Sequence, residues 1–366
     1  MEENKAALPR FNSVSRLVDF FDTHDRGDCA VHIPEAKFDI APLLQVTDLQ
    51  TVFGREGRGP VARAVRGVSF SVKKGETLGI VGESGSGKSV SALSVLRLIS
   101  APGRIAGGSV TLDGVDLLAL TERQMREVRG GRIAMVFQDP MTALNPTLTV
   151  GEQIAETILA HQKVSKADAW KQAESWLTRV RVSLPERRLR QYPHELSGGM
   201  RQRVMLAIAF SCRPEVLLAD EPTTALDVTV QAQILDLMDD LKAELGTAIV
   251  LITHDLGVVR QRCDTVAVMY AGQIVEYAAA SELFASPKHP YTQSLLASLP
   301  DWRRPRTDVP LPSLPGQPPS LTDIPPGCPF APRCPKVFEA CSSVVPANTP
   351  LESGRTVRCL LYEERA

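Results

Sequence analysis

The chain has 366 residues, enough for one large domain or two modest ones with an ample buried core. A hydrophobic fraction of 43% with 23% charged residues fits a soluble globular chain, and the formal net charge of -1 gives no electrostatic reason to expect nucleic acid as a partner. No apolar run approaches the roughly 20 residues that span a bilayer, and the amino terminus, MEENKAALPR, lacks the pattern of a signal peptide. The expectation is a cytoplasmic chain, free to dock onto a membrane protein.

Residues 1–42 show no sustained periodicity and contain Pro9, Pro34 and Pro42, which predicts a poorly ordered extension. Within it, residues 15–21 read as a short amphipathic turn. The body begins near Leu43. Residues 44–49 alternate as a half-buried strand and residues 65–72 read as another, joined by a charged, glycine-rich hairpin-like loop over 54–60. Residues 108–114 read as strand and turn, and residues 132–137 as a buried strand. From 150 to about 182 apolar residues recur at helical spacing. Two continuous apolar runs, 216–219 and 248–252, suit parallel strands covered on both faces, with a crossover helix over 230–245 between them. Beyond Pro300 the composition turns proline-rich and then cysteine-rich, marking an appended unit.

The segment Gly82-Glu83-Ser84-Gly85-Ser86-Gly87-Lys88-Ser89 fits G-x-x-x-x-G-K-[ST] at every specified position. The apolar run 77–81 leads in and a helix-like segment, 89–99, leads out. Glycines let backbone N–H groups turn inward around phosphate oxygens, and the helix N-terminus adds a favourable dipole. Lys88 supplies a mobile positive charge for the β- and γ-phosphates, and the Ser89 hydroxyl can ligate Mg²⁺. The motif predicts a nucleoside triphosphate site.

Val216-Leu217-Leu218-Ala219-Asp220-Glu221 is an apolar strand ending in two carboxylates, a Walker B. Asp220 is expected behind Mg²⁺, holding its water ligands, and Glu221 beside the γ-phosphate, polarising the attacking water. The segment Leu196-Ser197-Gly198-Gly199-Met200-Arg201-Gln202 just before it resembles the LSGGQ signature of ATP-binding cassette (ABC) ATPases, with Met200 where the consensus has Gln. The family's remaining motifs occur in order. Gln138 matches the Q-loop, Ala225-Leu226-Asp227 the D-loop and His254 the switch histidine, while Phe53 is the candidate for the aromatic that stacks on adenine.

The resemblance covers about residues 43–299. It implies an α/β P-loop NTPase with a parallel-sheet core, an antiparallel β subdomain, a helical subdomain over about 141–205, and a small cysteine-containing extension over 300–366. It implies ATP and Mg²⁺ as cofactors, with Ser89, Gln138 and Asp220 at the metal. It also implies two subunits clamping two ATP molecules, Ser197, Gly198 and Gly199 acting on the partner's site. Within the family the chain resembles the ATP-binding subunits of bacterial dipeptide and oligopeptide importers. That likeness is carried by the P-loop, by Phe137-Gln138-Asp139-Pro140-Met141-Thr142-Ala143-Leu144-Asn145-Pro146, by His289-Pro290-Tyr291-Thr292-Gln293 and by Gly327-Cys328-Pro329-Phe330-Ala331-Pro332-Arg333-Cys334-Pro335. The implied partners are a second, paralogous ATPase subunit, two membrane-spanning permease subunits and, indirectly, a solute-binding protein, at the cytoplasmic face of the inner membrane. Nickel and other solute importers share parts of the pattern. A soluble ABC protein of translation or DNA repair is the alternative of another class; two cassettes or a long coiled coil would mark it, and neither occurs here.

Of seven cysteines, Cys29, Cys212 and Cys263 are scattered and read as small hydrophobes. Cys328, Cys334, Cys341 and Cys359 cluster. In a cytosolic chain such grouping points to metal before disulfides, yet the spacings do not match zinc ribbons. Similar motifs in peptide importers are associated with a four-iron, four-sulfur cluster. That cluster, Zn²⁺ and unligated thiols all stay open at this point.

Overall fold

The structure, a computed structural model, describes residues 41–54, 59–224, 226–299 and 314–363. Almost all of the amino-terminal extension, with Cys29 and the turn at 15–21, lies outside the described residues. So do 55–58 of the expected hairpin-like loop, Ala225, and 300–313 of the proline-rich stretch.

Strands β1 (Leu44–Phe53) and β2 (Ala62–Val72) pair antiparallel and run longer than the sequence suggests. Register shifts between Val46 and Leu49 and again at Thr51/Val52 break the two-residue alternation. The pattern therefore fades where the strand continues. Next come β3 (Thr77–Val81), helix α1 (Lys88–Val95), β4 (Gly103–Leu112) and β5 (Val115–Asp116). Strand β4 starts five residues before the expected strand, because Arg104, Ile105 and Gly107 pair with β1 despite their glycine-rich surroundings. The first sheet is thus antiparallel, in the order β2-β1-β4-β5.

The second sheet is built on β3, β6 (Ile133–Val136), β7 (Val216–Asp220) and β8 (Ala248–Ile252), all parallel to their neighbours. Every residue of β3, β7 and β8 is buried, as continuous apolar strands require when both faces are covered. Alternate residues supply two different cores. Val216, Leu218, Val250 and Ile252 pack with the antiparallel sheet, whereas Leu217, Ala219, Ile249 and Leu251 pack with the helices.

Those helices include α2 (Val150–His161), α3 (Lys166–Arg179), α4 (Gly198–Phe210) and α5 (Val228–Leu245). The helical pattern expected over 150–182 is two helices. Thr149 and Glu152 close a capping box on α2, and Ser165 caps α3 by accepting the Asp168 N–H at 3.1 Å. Helix α5 begins at Asp227, whose carboxylate accepts the Val230 N–H at 2.9 Å. It ends at Gly246, in the left-handed conformation at φ 68°.

Strands β9 (Thr265–Tyr270) and β10 (Gln273–Ala279) form a hairpin on the other edge of β3, and helix α6 (Pro290–Ala297) follows. The cysteine-rich tail is built onto this edge. Its short strands β11 (Thr349–Pro350) and β12 (Thr356–Val357) add antiparallel to β10, giving the order β11-β12-β10-β9-β3-β8-β7-β6. A buried ion pair fixes the junction: Arg355 donates to Glu276 Oε1 at 3.1 Å, with side chains 9% and 1% exposed. No helix among the described residues is long and apolar enough to cross a membrane.

Candidate functional site

The glycine-rich loop connects β3 to α1, at the carboxyl end of the parallel strands where open α/β sheets place ligands. Gly87 is the N-cap of α1, with φ 101°. A Cβ on Gly87 would lie 2.3 Å from the Ala64 carbonyl oxygen, and one on Gly82 2.2 Å from that of Met269. Strands β2 and β9 thus press on the loop from behind, and glycine is required at both points. The turn closes through the Ser86 N–H on the Glu83 carbonyl (3.2 Å) and the Gly272 N–H on the Ser86 carbonyl (2.9 Å).

Lys88 folds back over the loop, its Nζ donating to the carbonyls of Gly82 (2.8 Å) and Glu83 (3.0 Å). Burial lowers its pKa, opposed by the charges of Glu221, Asp220 and Glu83. The Ser86 hydroxyl is buried without a hydrogen-bond partner. Ser89 Oγ donates to Asp220 Oδ1 at 3.0 Å, so the P-loop and the end of β7 meet as the motif spacing suggests. Burial raises the pKa of Asp220, and the Ser89 hydrogen bond works against it. Both shifts have the same leading cause, the burial of a charged group.

Glu221, the first residue after β7, holds φ 46°. Left-handed backbone at a non-glycine residue costs of order 1 kcal/mol or more and gathers at functional sites. Its carboxylate meets two donors and one imidazole nitrogen. Oε2 accepts from Thr224 Oγ1 at 2.9 Å and Gln138 Nε2 at 3.1 Å, and lies 3.3 Å from His254 Nδ1. Residues from three separate chain segments therefore converge. Gln138, expected at the metal, contacts Glu221 here and not Asp220.

Other candidates stand apart. Ser197 and Gly198 are exposed at the start of α4, Gly199 is half-buried, and the Ser197 hydroxyl makes no capping bond. Among the described residues no hydrogen bond or ion pair joins them to the P-loop. Asp227 serves as the α5 cap. Phe53 is half-buried at the end of β1, its ring over Gly103, where an added Cβ would come within 2.5 Å of Cε1. Ser84 and Gly85 lie at the exposed crest of the loop, partly or fully accessible.

Glu83 is committed elsewhere. Its N–H donates to the Tyr291 hydroxyl at 2.9 Å, and its carboxylate is gripped by Arg333 of the tail. Tyr291, Arg333 and Thr224 are the site-linked residues that motif reading misses. Tyr291 and Arg333 sit inside segments whose cysteines or proline draw the eye, and nothing local links them to residue 83.

The loop fits a nucleoside triphosphate with Mg²⁺. It offers a cradle that admits no Cβ, an orphaned buried hydroxyl, a lysine, and a serine–aspartate pair of the oxygen chemistry that Mg²⁺ takes. The cysteine cluster answers less simply. Cys328, Cys334, Cys341 and Cys359 line one small cavity with His289 and Phe330, and all are free thiols. Burial raises the pKa of Cys328 and Cys334 and pushes Cys359 up to about 11. The donor type suits a thiolate-bound metal group, but among the described residues no group of three or more His, Cys, Asp or Glu is arranged to hold a metal ion. Of the scattered thiols, Cys263 is buried and pushed up to about 12, and Cys212 lies beside the Thr157 carbonyl. Both suit inert packing.

Comparison with known proteins identifies the family. Residues 65–224 match the ABC transporter family, and residues 275–341 match the C-terminal region of oligopeptide/dipeptide transporters. A probable peptide ABC transporter ATP-binding protein of Sinorhizobium fredii is 56% identical over 87% of this chain and 94% of its own. An oligopeptide transport ATP-binding protein of Bacillus subtilis is 50% identical over 89% and 98%. Among solved structures, an ATP-binding cassette dimer in a post-hydrolysis state with ADP and Pi superposes with a TM-score of 0.58. It is 27% identical, and the match covers 65% of this chain and 98% of that one. The chain belongs to the ABC transporter family as an ATP-hydrolysing, ATP-binding subunit, closely related to those of the oligopeptide and dipeptide transporters.

Proposed function

We propose that this subunit couples ATP binding and hydrolysis to the uptake of dipeptides and oligopeptides through partner permeases. The observation that carries the catalytic part is the convergence of Gln138, Thr224 and His254 on Glu221, one residue from the Asp220–Ser89 pair. In this reading the loop from Gly82 to Ser89 grips the phosphates, with Ser86 and Lys88 turning to them. Ser89, Asp220 and Gln138 serve Mg²⁺, which neutralises phosphate charge when bound. Glu221 orients and deprotonates the attacking water, and His254 contacts the γ-phosphate. Phe53 offers its ring face to adenine.

The open start of α4, with Ser197, Gly198 and Gly199, is suited to the γ-phosphate held by a partner subunit, since a helix N-terminus with a free hydroxyl attracts anions. Asp227, the cap of α5, matches the D-loop and in this reading faces the partner subunit when the dimer closes. Preference of ATP for the closed dimer is the energy input, and hydrolysis resets it. On the helical side a groove of about 630 Å³ runs between α2 and the start of α3, lined by Leu148, Ala155, Leu159 and Trp170. Its apolar lining suits a short helix from a membrane subunit, which would place the chain at the cytoplasmic face of the membrane.

For the cysteine cavity the reading carried forward is a four-iron, four-sulfur cluster on Cys328, Cys334, Cys341 and Cys359, with Zn²⁺ second, although the thiols as they stand are not arranged around an ion. Four thiols lining one cavity are what favour it. Anaerobic purification with iron, sulfide and zinc assays tests it, and an absence of all three would leave plain thiols.

The transport reading is tested by reconstituting the chain with its permease and binding protein in vesicles. Mg²⁺-dependent ATP turnover and uptake of labelled peptide are expected. Turnover stimulated by nickel and not by peptide would reassign the cargo, and turnover indifferent to any permease would favour a soluble ABC protein.

A further inference from the structure

Glu83 is the second residue of a loop shaped to receive anions, and its carboxylate has the same charge sign as the ligand. A carboxylate there is tolerable only if something cancels and restrains it. Arg333 does both. Its two terminal nitrogens donate to Glu83 Oε2 at 2.7 Å and Oε1 at 2.9 Å, the two-pronged geometry that fixes direction as well as charge.

The guanidinium is itself held on its remaining sides. Nε donates to the Pro315 carbonyl at 2.8 Å, one terminal nitrogen reaches the Tyr270 hydroxyl at 3.3 Å, and the Arg333 side chain is only 5% exposed. Tyr270 and Tyr291 pack against each other and against Phe330, with ring centroids 4.7 to 5.4 Å apart. Tyr291 takes the Glu83 N–H. The short turn carrying Arg333 lies between Cys328 and Cys334 and is tied down by the Cys328 N–H on the Cys341 carbonyl. The tail thus grips the P-loop at the Glu83 side chain, while Tyr291 of α6 takes the main chain of the same residue.

We propose that Arg333 is a positioning residue for nucleotide binding, holding the Glu83 carboxylate away from the phosphate bay and cancelling its charge. The proposal rests on the nucleotide-site reading above. Without the arginine, Glu83 is free to repel phosphate and to compete for Lys88, whose Nζ already sits 3.0 Å from the Glu83 carbonyl. A residue from a segment otherwise notable for its cysteines would then set the affinity of the ATP site. Whatever disturbs the turn between Cys328 and Cys334 would be felt there.

The test compares Arg333→Met, Glu83→Gln and the double variant of the full chain, reading KM and kcat for MgATP hydrolysis, Kd for MgATP and melting temperature. Arg333→Met is expected to raise Kd and KM about tenfold with kcat within about twofold, because the fault lies in phosphate repulsion. Glu83→Gln is read only as the second arm of a double-variant cycle: because it removes the unrestrained charge, adding it to Arg333→Met is expected to recover most of the tenfold loss of affinity. A purely structural clip would lower the melting temperature and leave KM unmoved. An unchanged KM in Arg333→Met, or a double variant as weak as the single, overturns the proposal. Should Arg333→Met not fold, the double variant decides, since a tenfold loss of affinity with both charges removed contradicts it. A wild-type chain that does not bind MgATP would overturn the nucleotide reading, and this proposal with it.

Discussion

Replacing Glu221 by Gln separates chemistry from binding at this site. The amide has the volume of the carboxylate and keeps one acceptor for the hydroxyl of Thr224, 2.9 Å away, so the loop after β7 has no reason to rearrange. What disappears is the negative charge and the capacity to take a proton from water. A positioned general base contributes about 10²- to 10⁴-fold. The expected fall in kcat is therefore at least about a hundredfold, or about 2.7 kcal/mol on the barrier. Binding moves the other way. Removing a charge that lies beside the phosphate bay relieves repulsion, so Kd for MgATP stays level or tightens. Phosphate release at saturating MgATP gives the first quantity, and titration with a fluorescent ATP analogue the second. A folding defect would weaken both together. A variant that turns over within about threefold of wild type would refute the assignment of Glu221 as base, and with it the functional meaning given to its strained backbone.

Gly87→Ala places a Cβ 2.3 Å from the Ala64 carbonyl at a φ of 101°, so MgATP binding is expected to be lost, and a variant titrating like wild type would contradict the cradle described here. Arg355→Met leaves Glu276, 1% exposed, without its cation. Two backbone N–H groups, from Lys288 and His289, remain on its carboxylate, so the loss is placed at the lower end for a broken buried pair, about 3 kcal/mol by urea unfolding. A change under 1 kcal/mol would show that the pair does not anchor the tail. His289 is buried and neutral, its pKa lowered by burial to about 3 from an ordinary 6.5, with Nδ1 accepting the Tyr291 N–H. Between those values the unfolded chain carries a proton that the folded chain refuses. Stability should thus fall as pH drops below about 6.5, by about 1.4 kcal/mol per unit from this residue. Subtracting the pH profile of His289→Gln isolates that slope, and parallel profiles would refute it.

The nucleotide loop, the paired acids at the end of β7 and the signature segment are legible in sequence because each is a contiguous run whose chemistry depends on neighbours a few residues away. The buried parallel strands are legible for the same reason: an apolar run such as 248–252 needs cover on both faces wherever it lies. Where local order is broken, reading fails. The irregular register in β1 hides its second half, and β4 begins in a glycine-rich stretch that only pairing with β1 turns into strand.

Sequence by itself determined that this chain grips and hydrolyses ATP, since the spacing of a P-loop or a Walker strand is a statement about adjacent backbone. Tertiary structure alone decided that Gln138, Thr224 and His254 meet on one oxygen of Glu221. It alone decided that the tail completes the sheet through β12, and that Arg333 reaches back 250 residues to Glu83. A charge pair between distant segments leaves no periodic or spaced trace in either. It exists only because two sheets and a cysteine-rich tail bring both ends to the same place.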